Sequence, residues 1–287
     1  MLVLWLRLPI KVDRARRITQ EKCISQSHAT IMSPTCVEPK GGNINVLWIH
    51  TITMFRCWTS VILALIVTAT YVTSLPGSYA IQRRASKCNG YQDLCNRKYS
   101  NVTHIGAHDS FAVGKLGSLG SNQEANVTVQ LEDGIRLLQI QTHASSGHQD
   151  SNPSGLSLCH TSCALKNGGT LESYLRQVKQ FLNQNKNEVV TLVITNPDNK
   201  PVSNFAKAFE NTGLNSMAYR ANSNSISKND WPTLQELISQ NQRVVVFLDH
   251  KADVNQAKYI LPEFQNIWEN PYDQTSSNFN CTPDRYT

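Results

Sequence analysis

Residues 156–195 read LSLCHTSCALKNGGTLESYLRQVKQFLNQNKNEVVTLVIT. A short apolar run, Leu156 to Cys159, precedes Leu171, Leu175, Val178 and Leu182, which recur at spacings of four, three and four. That recurrence is one face of an amphipathic helix with Thr170 as its N-cap. The β-branched run Val189 to Thr195 then reads as a strand. Strand, helix and strand in this order predict a parallel α/β protein.

The same alternation extends outward. Asn101 to Ile105, Ile135 to Ile140 and Val244 to Leu248 read as further strands, and Thr233 to Asn241 as a helix after the loop closed by Trp231 and Pro232. Polar residues cluster just after each strand: Ala107-His108-Asp109-Ser110, Gln141-Thr142-His143, His160-Thr161-Ser162, Asn196-Pro197-Asp198-Asn199 and Asp249-His250. Carboxyl-terminal strand ends face the ligand crevice in α/β folds, so these groups are expected to converge. Several consecutive strands contributing in this way favour a barrel over an open sheet. Five strands occupy about 160 residues, and eight at that spacing need roughly 260, whereas only about 200 follow residue 80. The expectation is a TIM-type barrel that is incomplete at its carboxyl-terminal end.

The charge distribution limits the partners. The net charge of +6 comes largely from the amino-terminal part, because residues 1–53 hold seven basic and three acidic residues and residues 81–287 hold 19 and 18. A nearly neutral folded region gives no electrostatic warrant for nucleic-acid binding. Residues 58–75, WTSVILALIVTATYVTSL, carry no charge. With Met54 and Arg56 before them and Ser78 and Ala80 after, residues 54–80 read as a secretory signal peptide. The alternative is a single-pass anchor through residues 58–75. Residues 1–53 show no sustained period and are expected to be unstructured: a gene-model extension upstream of Met54, or the basic cytosolic tail of an anchored protein. The exported domain is then 81–287.

Cysteine spacing agrees with an oxidising compartment. Cys88 and Cys95 enclose a short loop and Cys159 and Cys163 a shorter one, consistent with two local disulfides. Zinc is the rival for such close pairs, although neither has the two-residue spacing of a zinc ribbon. Cys281 is left over, and a partner beyond Thr287 would account for it. Asn101, Asn126 and Asn280 begin glycosylation triplets.

His108-Asp109 after the first strand and His160 after the third are the strongest chemical constellation. Two imidazoles facing one phosphate can divide general-base and general-acid work, each worth about 10²–10⁴ in rate. Histidine suits both roles because its unperturbed pKa lies near 6.5. A lone loop histidine is usually structural or exposed; two at strand ends, one followed by Asp, are not so easily dismissed.

The stretches VTHIGAHDSFAVG, QLEDGIRLLQIQTH and LCHTSCALKNGGTLESYLRQVKQFLNQNKNEVVTLVI, with WPTLQELI and RVVVFLDH beyond them, resemble the X-domain of phosphatidylinositol-specific phospholipase C, in particular the fungal secreted phospholipase C-like phosphodiesterases. The similarity runs from about Cys88 to Arg285. It implies a barrel that cleaves a phosphodiester without a cofactor, and a phospholipid or glycosylphosphatidylinositol-type head group met transiently at a membrane surface. His108 would be the general base on the inositol 2-hydroxyl, His160 the general acid on the diacylglycerol oxygen, and Asp109 the residue orienting an imidazole. Bacterial relatives carry an Asp and an Arg two residues apart at the end of the second strand; the matching positions here are Gln139 and Gln141. Metal-dependent relatives use calcium at that place. A late-strand Asp that pairs with the first histidine in the family has no counterpart that can be assigned.

Gln139, Gln141, His143, Asp198 and Asp249 are the candidates for head-group contact. His143 would supply the missing positive charge if protonated. No metal site stands out, because Gln139, Gln141 and Asn196 are poor calcium ligands and Asp198 and Asp249 are single acids on separate strands. Lys115, in the Gly-rich loop GKLGSLG, could meet an anionic head group, though that loop is too irregular for a P-loop. Arg136 reads as structural.

Overall fold

The computed structural model describes residues 3–6, 85–115, 117–145, 152–270 and 283–285. The chain divides into two compact units, residues 1–11 with 82–287, and residues 12–81. The second unit, with the apolar segment and most of residues 1–53, lies outside the described residues, as do Asn280 and Cys281.

Six strands make one parallel sheet in the order β1 (Val3–Leu6), β2 (His104–Ala107), β3 (Leu137–Ala144), β6 (Val190–Thr195), β7 (Val244–Leu248) and β8 (Ile260–Pro262). The sheet does not close: β1 and β8 are its edges among the described residues. The architecture is therefore α/β, an incomplete barrel of the TIM type.

The expected third strand is not part of this parallel layer. Leu156–Cys159 forms β4, antiparallel to the end of β3, and continues into β5 (Asn167–Thr170), antiparallel to β4. The physical reason is length. β3 runs on to Ala144, four residues past its expected end, and leaves eleven residues before Leu156. A parallel crossover needs a dozen or more residues and usually a helix, so the chain turns back as a hairpin. The parallel strands that were not anticipated are the four-residue β1, within residues 1–53, and the three-residue β8. The first strand also starts later than expected, because Tyr99–Asn101 is a 3₁₀ turn.

Among the described residues, four helices connect these strands: α1 (Val127–Glu132), α2 (Leu171–Gln184), α3 (Val202–Thr212) and α4 (Leu234–Ser239). Thr170 caps α2 by accepting from Ser173 N at 3.1 Å. Thr233 and Glu236 form a reciprocal capping box at α4, which makes Thr233 the cap rather than a helical residue. α3 carries Val202, Phe205, Ala208, Phe209 and Thr212 on one buried face and ends at Gly213 with φ +67°.

β6 and β7 are buried on both faces, as parallel strands between two apolar layers must be. Val190, Leu192, Ile194, Val244, Val246 and Leu248 point outward and pack with the buried faces of α2 and α3. Val193, Val245, Phe247 and Leu261 point inward with Leu137, Trp231, Tyr99 and the Cys88–Cys95 disulfide. Polar groups interrupt that inner layer. Tyr99 and Thr191 share a hydrogen bond at 2.7 Å, and the His104 ring lies 4.9 Å from the Tyr99 ring. Burial pushes His104 down to about 4, with the nearby Tyr99 backbone opposing; neither ring nitrogen has a partner in close hydrogen-bonding geometry.

Candidate active site

The inner face of β2 alternates through His104, Gly106 and His108, and that of β3 through Gln139, Gln141 and His143. Parallel register sets Gln139 beside Val193 and Gln141 beside Thr195. These strands thus bring their polar ends to the carboxyl-terminal rim, the edge that holds ligands in α/β folds.

At that rim His108, Asp109 and His160 come together. His108 Nε2 lies 3.2 Å and His160 Nε2 3.5 Å from the same oxygen, Asp109 Oδ2. The two nitrogens therefore cannot be farther apart than those two legs laid end to end. Asn122 Nδ2 donates to that oxygen as well, at 3.1 Å. Asp109 is only 2% exposed and its Oδ1 has no partner, whereas the imidazoles are 34% and 26% exposed. The carboxylate lies behind and the rings face outward.

His160 belongs to the β4–β5 hairpin, and Cys159 and Cys163 form a disulfide around it. Both close cysteine pairs are disulfides, not zinc ligands. His160 Nδ1 faces Gly120 O at 3.1 Å. Both ring nitrogens thus face acceptors. Gly120 has φ +71°, and a Cβ there would lie 3.0 Å from Lys166 Cβ and 3.6 Å from His160 Nδ1. Its carbonyl reaches the histidine because no side chain stands in the way.

Gln139 and Gln141 both face this cluster through their amide oxygens. Gln139 Oε1 accepts from Asp109 N and Gln141 Oε1 from Thr161 N, each at 2.7 Å. Asp109 and Thr161 have φ of +43° and +62°, a region costly for residues other than glycine and concentrated at functional sites.

The other candidates sit apart from this cluster or are bound up in local clasps. His143 Nδ1 pairs with Asp198 Oδ1 at 3.0 Å, and Asp198 Oδ2 accepts from Ala144 N at 2.7 Å. The Ala144 N–H and the His143 ring hold the Asp198 carboxyl below the usual range, against its partial desolvation. Asp249 accepts from Asn196 N at 2.8 Å and faces His250 Nδ1 at 2.9 Å. Lys115 is exposed. Arg136 is structural: it pairs with Glu188, donates to the Leu131 and Ile135 carbonyls, and stacks over Phe181.

Sequence reasoning missed the loop that closes over the pair. Besides Asn122 and Gly120, Gln123 Nε2 donates to His108 O at 2.6 Å. The glycines of this loop are the available signal, although they match no phosphate-binding pattern. It also missed Glu263, just after β8. Burial pushes this carboxyl up to about 9, helped by the charges of Glu269 and Asp249 and opposed by Arg285. Among the described residues, no group of three or more His, Cys, Asp or Glu side chains is arranged to hold a metal ion. Nor is any helix among them long and apolar enough to cross a membrane.

A barrel-type α/β sheet with paired histidines on one carboxylate at its rim defines the class of domain. The chain belongs to the PI-PLC X family: residues 94–287 match PI-PLC X 1. An uncharacterized secreted protein of Arthroderma benhamiae is 45% identical over 194 residues, which are 68% of this chain and 42% of that one. PI-PLC X domain-containing protein 1 of the same fungus is 41% identical over 225 residues, 77% of this chain and 69% of its own. The phosphatidylinositol-specific phospholipase C of Listeria monocytogenes has a TM-score of 0.41 at 17% identity, covering 55% of this chain and 54% of its own. The chain thus spans less than half of the first relative and about half of the solved phospholipase.

Proposed function

We propose that this chain carries a phospholipase C-like phosphodiesterase domain that cleaves a phosphoinositide-type diester by paired histidine catalysis. The single observation behind this reading is that His108 and His160 approach one buried carboxylate oxygen, with both rings partly open to solvent. A neutral His108 that donates from Nε2 to Asp109 keeps its basic lone pair on Nδ1. There it takes the proton of the attacking hydroxyl as the new oxygen–phosphorus bond forms. His160 delivers a proton to the leaving oxygen as the old bond breaks. At 3.5 Å its Nε2–H is held loosely enough to turn toward that oxygen. With an inositol 2-hydroxyl as nucleophile, the products are a cyclic phosphate and a diacylglycerol. His143, Asp198 and Asp249 are the candidates for head-group contact.

A second reading, a head-group-binding protein with little turnover, is favoured by one observation. The positions matching the Asp and Arg of bacterial relatives are Gln139 and Gln141, and both amide oxygens are occupied by backbone donors. Losing a charge-assisted contact to the phosphate costs about 1.5–3 kcal/mol, or roughly ten- to a hundredfold in rate. Secretion is the localisation in keeping with the apolar segment, the two disulfides and the secreted name of one relative.

Phosphatidylinositol vesicles with EDTA-treated protein separate these readings. Release of inositol phosphate, abolished by His108→Ala or His160→Ala, supports the hydrolase. Vesicle binding without release supports the binding protein. Release only after a divalent ion is added supports a metal-dependent diesterase instead.

A further inference from the structure

We infer that Gln139 and Gln141 are positioning residues, each locking the peptide plane that carries one of the two histidines. The inference rests on the reading that His108 and His160 carry the reaction. A peptide group is planar, so the N–H of one residue and the C=O of the residue before it turn as one rigid body. In the His108–Asp109 peptide, Asp109 N–H is held by Gln139 Oε1 at 2.7 Å and His108 O by Gln123 Nε2 at 2.6 Å. In the His160–Thr161 peptide, Thr161 N–H is held by Gln141 Oε1 at 2.7 Å and His160 O by Ser162 N at 2.6 Å. Both planes are gripped on both edges.

The two grips have a common origin. Gln139 and Gln141 stand two apart on one face of β3, so a single strand braces both halves of the pair. β2 lies beside β3 in the parallel sheet, and β4 lies beside it in the hairpin. The braced residues, Asp109 and Thr161, have positive φ without being glycine, a conformation that persists only where its surroundings over-determine it. A side-chain acceptor aimed at each N–H is such a surrounding. It also explains why an amide serves at position 139: its oxygen accepts from the backbone with no full charge beside Asp109. The task of the two glutamines is then to hold the histidines.

Gln141 is the less buried of the two and is tested first, in the full chain. Gln141→Met keeps the length and removes the acceptor; Gln141→Glu restores an acceptor. With phosphatidylinositol vesicles, Gln141→Met is expected to lower kcat at least about tenfold with KM unchanged, and Gln141→Glu to recover most of the loss. By NMR, Gln141→Met should shift the Thr161 amide and the His160 ring nitrogens while leaving the His108 ring in place. Gln139→Met should do the converse. An unchanged kcat with unmoved ring signals overturns the inference, as does a rise in KM alone, which would mark a substrate contact. If the wild type releases no inositol phosphate, the hydrolase reading falls and the NMR signals alone decide the positioning role: moved signals uphold it and unmoved ones refute it.

Discussion

His104 makes this fold acid-labile by a predictable amount. Its ring is buried on the inner face of β2 against Tyr99, with no partner to share a second proton, and burial lowers its pKa from 6.5 to about 4. A histidine depressed in the folded state contributes stability that is fully present above its unfolded pKa. That stability is lost as pH falls through the window from 6.5 to 4, where the unfolded chain takes up a proton that the folded chain refuses. At 1.36 kcal/mol per unit the loss is about 3 kcal/mol, a large share of the total for a domain. His104→Leu removes the titration. Urea unfolding of both proteins from pH 7.5 to 4 should show the wild type losing about 3 kcal/mol more than the variant, with most of the divergence between pH 6 and 4. Parallel profiles would refute the assignment of this loss to His104.

Three further outcomes follow from contacts around the site and the core. Asn122→Leu removes a donor to the Asp109 oxygen shared by both imidazoles and should lower turnover roughly tenfold with little change in melting temperature, read by kinetics beside calorimetry. Replacing Cys159 and Cys163 by Ser opens the loop that holds His160; unfolding free energy should fall by about 2 kcal/mol, measured in urea. Glu263, raised to about 9, holds its proton in the fold, so its contribution is complete below pH 4.5 and disappears as pH rises toward 9. Glu263→Gln should therefore flatten the alkaline side of the stability profile, followed by thermal melts from pH 5 to 9.

Long periodic segments were legible in the chain because their burial pattern is local. Leu171 to Leu182 advertised α2, and Val189 to Thr195 and Val244 to Leu248 advertised β6 and β7. α3 had an equally clear pattern, with Pro201 before it and Gly213 after it, and went unread. β4 was found as a strand but given the wrong direction, since strand polarity depends on the length of chain between partners rather than on the residues within the strand. β8 has three residues and owes its pairing to β7, so no period could announce it. At the site, His108, Asp109 and His160 could be picked out by type and position, and the structure brings them together. The roles of Asn122, Gln123 and Gly120 depend on how a loop folds back over the rim. That is a matter of tertiary contact, with no signature in spacing.

The hairpin of β3, β4 and β5 divides the catalytic pair between two kinds of scaffold: His108 rides on the sheet, His160 on an arm that leans over it. The sheet alone therefore does not fix the distance between the two rings; the pairing of the arm does. A slip of one residue between β3 and β4 would turn His160 to the opposite face and disarm the site at a stroke. The alignment of the arm is thus as much a part of the site as the two rings it brings together.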